Sequence, residues 1–380
     1  MMTEEEAVEM LPKERQAPIK SLLNFKPGDL PEKPEKNTWY TYRPEGCICS
    51  DGSPYYSTLK IGTENKLMVM FIGGGVAIDA YSAARPNSFD PKAEQPTFYL
   101  PTTLVMGYLF GHSGIGNKDK ADNPFKNWSV VVISYASGDF HCGTNSFEYD
   151  DKEKGKGVCH HHGYINYRAM MKKIKEFVPN PEQVMVTGYS AGGFASELLT
   201  DDVMSIYDKC DNFVCLADSG IACNDWHSVA VNEWGAPKEI CDRLKTDNLA
   251  LDCLLDLHRK HGNRVKVMLG CTYRDALLAQ EQLYCDGHPF DFTKEAGDRF
   301  QAILKDTVET LINEIPDVSI YIFDRKNAEV TVGELTDHTF IATDTVFDYS
   351  YEGVKLIDWI YDGVCGKPQK IGLKLLDKKG

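Results

Sequence analysis

The chain has 380 residues, 42% of them apolar, 26% charged and 11% aromatic, a composition that excludes a disordered or fibrous protein and suits one main globular domain. Its net charge of -15 sets up a field that repels a phosphate backbone, so no nucleic-acid partner is expected. No apolar run is long enough to span a bilayer, and twelve cysteines are too few for a disulfide scaffold.

The opening stretch MMTEEEAVEMLPKERQ has neither a basic n-region nor an apolar h-region. The expected location is therefore cytoplasmic for the chain as it stands, or secreted if a leader has been removed. Residues 1–40 are charged and proline-dotted and read as a peripheral extension, with the folded domain over 41–380. Short apolar runs then recur, each closed by glycine or polar turn residues: 66–75 (KLMVMFIGGG), 128–136, 183–190 (QVMVTGYS), 212–220, 265–273 and 318–324. Runs that are apolar on both faces suit parallel strands buried under helices. Amphipathic stretches at 164–177, 193–207, 247–261 and 297–315 supply the helices between them. The β-α alternation predicts an α/β, doubly wound, mostly parallel sheet with right-handed crossovers. The longer stretches 76–127, 137–163 and 221–264 are expected to be insertions that form a cap.

Sites in such sheets lie at the carboxyl ends of the strands. In VMVTGYSAGGFASELL (184–199) a strand runs into a helix through Gly188-x-Ser190-x-Gly192, a turn so sharp that it forces the serine outward. Ser190 is the candidate nucleophile. Upstream, Gly73 to Gly75 and Val76 close the first run, and the amides of Gly75 and Val76, with that of Ala191 at the helix start, are the expected oxyanion donors. A serine needs a base, and the base needs an acid to fix its tautomer. His338 in GELTDHTFIAT and Asp275 in CTYRDALLAQEQ follow in the order this fold class uses. Asp275 also reads as a helix N-cap, and Asp218 and Asp337 are rival acids.

Gly74, Asp139, His141 and His162 are expected along a substrate cleft, and His112 reads as cleft-lining or solvated. The three imidazoles of CHHHG (159–163) point in different directions along the backbone, so no metal is expected there. Cys215 and Cys271 read as buried strand fillers, while Cys47/Cys49 and Cys142/Cys159 sit in loop-like surroundings where pairing is conceivable.

Together, VTGYSAGGFAS (186–196), FIGGGVA (71–77), DNPFKNWSVVVISYASGDFHCG (122–143), HHGYINYRAMM (161–171) and DHTF (337–340) make the chain resemble the pectin acetylesterase family, which includes the Notum-type carboxylesterases. The resemblance covers residues 40–365 in order. It implies an α/β-hydrolase-like fold and a Ser190–His338–Asp275 carboxylesterase that, with no cofactor, removes acetyl or short acyl groups from esterified carbohydrate, its substrate being a small-molecule or oligosaccharide ester. The alternatives are a hydrolase of other esters or thioesters, and a catalytically silent carbohydrate-binding or interaction protein on the same fold. The oligomeric state is not legible.

Overall fold

A computed structural model describes residues 4–10, 16, 26–88, 94–103 and 112–379. Its centre is a nine-stranded sheet. Ten strands come first in the chain: β1 (Trp39–Tyr42), β2 (Ser57–Lys60), β3 (Lys66–Phe71), β4 (Ser129–Ile133), β5 (Asn145–Asp151), β6 (Gly155–His161), β7 (Gln183–Tyr189), β8 (Phe213–Asp218), β9 (Val265–Thr272) and β10 (Ser319–Phe323). A two-residue pair, β11 (Ser350–Tyr351) and β12 (Val354–Lys355), precedes the last strand, β13 (Lys370–Ile371). The sheet order is β1-β2-β4-β3-β7-β8-β9-β10-β13. From β4 to β13 every pairing is parallel, whereas β1 with β2 and β2 with β4 pair antiparallel.

The six apolar runs of the sequence are the six strands β3, β4, β7, β8, β9 and β10, and nearly all their residues are buried. Burial on both faces explains why they show no alternation. Helices α1 (Gly163–Phe177), α2 (Ala191–Ile206), α3 (Leu249–His261), α4 (Ala276–Cys285), α5 (Lys294–Glu314) and α6 (Leu356–Val364) cover the sheet on both sides. The fold is the expected α/β-hydrolase-like architecture.

Two boundaries differ from expectation. Trp39 is buried and opens β1 opposite Lys60, and Leu30 N–H donates to the Thr41 carbonyl, so the fold begins before residue 41. A four-residue aromatic strand at a sheet edge carries too little pattern to mark itself. The rest of the expected 1–40 extension lies partly outside the described residues, as does part of the 76–127 insertion. Stretch 221–264 is not a cap over the site: its main element, α3, is a crossover helix that packs on β9, α2 and α5. Stretch 137–163 holds the β5–β6 hairpin, whose outer face is exposed. All twelve cysteines carry free thiols, so neither Cys47/Cys49 nor Cys142/Cys159 is bridged.

The β7-to-α2 turn depends on two backbones in contact. A Cβ built on Gly188 would lie 2.1 Å from the Gly192 carbonyl oxygen, and one on Gly192 would lie 2.1 Å from that of Phe71. Helix α2 therefore sits directly on strands β7 and β3. Gly188→Ala is expected to cost about 1–3 kcal/mol through forced backbone movement. Urea unfolding should show this as a lower midpoint at unchanged slope.

Candidate active site

Ser190 has φ 54 and ψ -128, a region that a side chain enters only under strain. Its N–H donates to the Asp218 carbonyl at 2.9 Å, and its own carbonyl accepts from Gly193 and Phe194 N–H in the first turn of α2. The turn is thus pinned on both sides. The Ser190 side chain does not cap the helix, although serine is a favoured cap, so its hydroxyl stands at the helix start without that duty.

Asp275 ends the turn after β9 and has two tasks. One carboxyl oxygen accepts from Leu277 and Leu278 N–H at 3.1 Å each and caps α4. The carboxylate also lies 2.8 Å from His338 Nδ1. A two-sided backbone stitch sets this distance: Thr336 N–H donates to the Arg274 carbonyl, and Ala276 N–H to that of Thr336. Arg274, fully buried, clamps the same loop through the Gly333 carbonyl. With Nδ1 facing a carboxylate, the imidazole carries its hydrogen there and presents Nε2 as a base. Nε2 is buried and has no partner among the described residues. Burial works against charging His338, but the Asp275 carboxylate beside it, with Asp218 and Asp337 farther off, outweighs that and raises its pKa above the ordinary 6.5.

Of the rival acids, neither is bonded to the imidazole ring. Asp337 pairs with Arg325 and accepts from the His338 N–H. Asp218 is fully buried, and its Oδ2 accepts from Phe340 N–H at 2.7 Å and Ile341 N–H at 2.9 Å. Asp218 thereby joins the two halves of the site, holding Ser190 through its carbonyl and the chain after His338 through its carboxylate. The sequence offered Asp218 only as a candidate partner of the imidazole, and its grip on backbone amides has no sequence signal.

The glycine run is held so that one amide faces away from its anchors. The Gly74 carbonyl accepts from Leu100 N–H, and the Gly75 carbonyl from Tyr135 O–H at 2.7 Å. A trans peptide sends the Gly75 N–H opposite to the Gly74 carbonyl, and no protein partner takes it among the described residues. The Ala191 N–H, first in α2, has no intrahelical acceptor and lies at the positive end of the helix. Val76 differs from expectation: its N–H donates to the Phe98 carbonyl at 3.0 Å and is not available to a ligand.

Ser190, His338, Gly74, Gly75, Val76 and Ala191 all line one cavity of about 380 Å³, walled mostly by Phe98, Leu100, Phe140, Phe194, Leu277 and Phe290. A second, more open hollow of about 800 Å³ lies on the other side of His338 and Leu277, bounded by residues 327–332. Asp139, His141 and His162, expected along the cleft, are placed elsewhere. The Asp139 carboxylate accepts from Ser137 O–H and from the N–H groups of His141, Gly143 and Gly163, which makes it a loop organiser. His141 is buried, donates Nε2–H to the Ile72 carbonyl, and is held by burial at a pKa of about 4. His162 stands at the N-cap position of α1 beside Ser146 without a capping hydrogen bond, and His112 is half-buried edge-on against Trp39. Among the described residues no group of three His, Cys, Asp or Glu is placed to hold a metal ion. No helix among them is long and apolar enough to cross a membrane.

The family described as Pectinacetylesterase matches residues 37–234, just over half the chain. Pectin acetylesterase 4 of Arabidopsis thaliana is 25% identical over 189 residues, 47% of this chain and 42% of that protein. Pectin acetylesterase 7 of the same plant is 25% identical over 181 residues, 46% and 43%. The chain thus spans less than half the length of the curated relatives it matches. Among solved structures, that of the Wnt deacylase Notum from Drosophila superposes with a TM-score of 0.57, 16% identity and coverage of 87% of this chain and 95% of that one, a likeness of fold.

Burial pushes the Asp218 carboxyl up to about 7, against the amides and hydroxyl that favour its charge. A folded-state value above the unfolded 3.8 means that ionisation weighs against the fold, so this contribution falls as pH rises from about 4 toward 7. Asp218→Asn keeps an acceptor for both amides and has no proton to lose. Its urea midpoint is expected to gain on wild type across that window, and a difference that does not change with pH contradicts the assignment.

Proposed function

The chain belongs to the pectinacetylesterase family, and on that premise we propose that it is a serine carboxylesterase in which Ser190 is nucleophile, His338 general base and acid, and Asp275 the acid that fixes the imidazole. One observation supports this most: Asp275 occupies His338 Nδ1 while Nε2 is left unpartnered in the cavity that Ser190 lines. That is the division of roles a Ser/His/Asp set needs.

In the proposed reaction, Ser190 Oγ attacks an ester carbonyl as His338 Nε2 takes its proton. Asp275 stabilises the imidazolium, and the amides of Gly75 and Ala191 bind the oxyanion, each such donor contributing about 2.7–4 kcal/mol by precedent. His338 returns the proton to the departing alcohol oxygen, leaving an acyl-serine. Water, activated by the same imidazole, releases the acid and restores the serine. No cofactor takes part. The leaving alcohol must lie next to His338, which is the proton donor, and the open hollow beyond it has room for a sugar. The narrower cavity is then the acyl side. The substrate class we propose is an acylated carbohydrate or comparable small ester.

Ser190→Ala should lower hydrolysis of p-nitrophenyl acetate by roughly 10⁴-fold or more while leaving the circular dichroism unchanged. Full activity in that variant would end the proposal. The rate should also rise with pH through the raised His338 pKa, because only the neutral imidazole accepts a proton. With Asp275→Asn the loss is on the order of 10³–10⁴-fold. The residual activity should titrate at lower pH than in wild type, since burial is then opposed only by the weaker pull of Asp218 and Asp337; the pH–rate profiles of the two proteins decide this.

A further inference from the structure

Helix α4, capped by Asp275, carries Leu277, Leu278, Gln280 and Glu281 along the cavity wall. Among the described residues that line the cavity Glu281 is the one carboxylate, and most of the wall is aromatic or aliphatic. One oxygen of Glu281 is buried with no hydrogen-bond partner among the described residues. Such a group weighs against folding unless something supplies the missing partner.

Asp79, Asp139, Asp218 and Asp275 have structural duties. Asp79 caps the short helix at Ala80–Ala83 and accepts from Tyr284 O–H at 2.8 Å. Asp139, Asp218 and Asp275 each hold two or more backbone amides. Glu281 holds none, so the fold gives no reason for it. Glu197 also lacks partners among the described residues, but it lies in the interior of α2 and lines neither of the two cavities at His338.

We infer that Glu281 sets the specificity of this cavity, by hydrogen-bonding an oxygen function, a hydroxyl or a carbonyl, on the acyl chain of the substrate. The inference rests on the Ser190 esterase reading and deepens it. Size agrees: an acetyl methyl is about as large as one water, ~30 Å³. It would leave most of the roughly 380 Å³ unfilled. Chemistry agrees as well, because burial, and then the nearby Asp79 carboxylate, push the Glu281 carboxyl up to about 8. A neutral carboxylic acid both donates and accepts, which matches a hydroxyl or a carbonyl better than a cation. A site built around a buried polar group also rejects analogues that leave it unpaired, and does so far more sharply than an apolar wall sorts chain lengths.

The test compares kcat/KM for matched p-nitrophenyl esters: 3-hydroxybutyrate against butyrate, and 5-oxohexanoate and 6-hydroxyhexanoate against hexanoate. Wild type, Glu281→Leu and Glu281→Gln are assayed together, with wild-type turnover of the acetate ester run alongside. Wild type is expected to favour at least one oxygenated ester over its plain partner by tenfold or more. Glu281→Leu should erase or invert that ratio, and Glu281→Gln should keep part of it. Equal use of oxygenated and plain esters by wild type overturns the inference, as does a ratio unchanged in Glu281→Leu. A stronger preference for 6-aminohexanoate than for 6-hydroxyhexanoate overturns it too, since that requires an ionised carboxylate. Absence of turnover on every ester, acetate included, instead removes the esterase reading on which the inference stands.

Discussion

The site depends on one backbone position. Ser190 sits where the φ angle of an ordinary residue costs on the order of 1–3 kcal/mol, and the chain accepts that because its neighbours leave no other course. The turn is hydrogen-bonded to Asp218 before it and to the first turn of α2 after it, and α2 rests on β7 and β3 through bare glycine backbone. Relaxing the turn would lift the helix from the sheet. The same close approach that strains the serine also places the free amide of Ala191 and the glycine run after β3 on one cavity.

Two acidic residues at neighbouring strand ends divide the remaining work. Asp275 after β9 holds the imidazole, and Asp218 at the end of β8 holds the chain that follows it. Both are buried, yet they experience different fields. Asp218 is short of compensation, and its carboxyl is driven upward by burial, whereas Asp275 sits against the imidazole that it supports. His338 is therefore placed by backbone contacts and oriented by a side chain. That separation lets Nε2 stay free of structural obligations, which a proton acceptor requires.

How much of this the sequence shows follows from how each feature is encoded. Strands buried on both faces appear as continuous apolar runs, so β3, β4, β7, β8, β9 and β10 are legible, and the strand-turn-helix around Ser190 with them. The pairing of Asp275 with His338 is suggested by order alone and needs the stitch between residues 274–276 and 336, which no local pattern announces. The β5–β6 hairpin escapes notice because its residues are mostly polar and its outer face is exposed. Asp139 and His141 illustrate the opposite error. At the end of a strand, a carboxylate or an imidazole looks like site chemistry whether it faces the cavity or holds its own loop together. Glu281 is hidden for a related reason: ALLAQEQ reads as ordinary helix, and only the register set by Asp275 brings Gln280 and Glu281 to the cavity.

The central claim is that Ser190 is a nucleophile activated by His338. Its most direct test is covalent labelling with a fluorophosphonate, followed by peptide mass spectrometry to locate the adduct. The account predicts a single adduct on Ser190 in wild type and little or none in His338→Ala, because the hydroxyl then has no base. Labelling elsewhere, or equal labelling of Ser190 in both proteins, would contradict it.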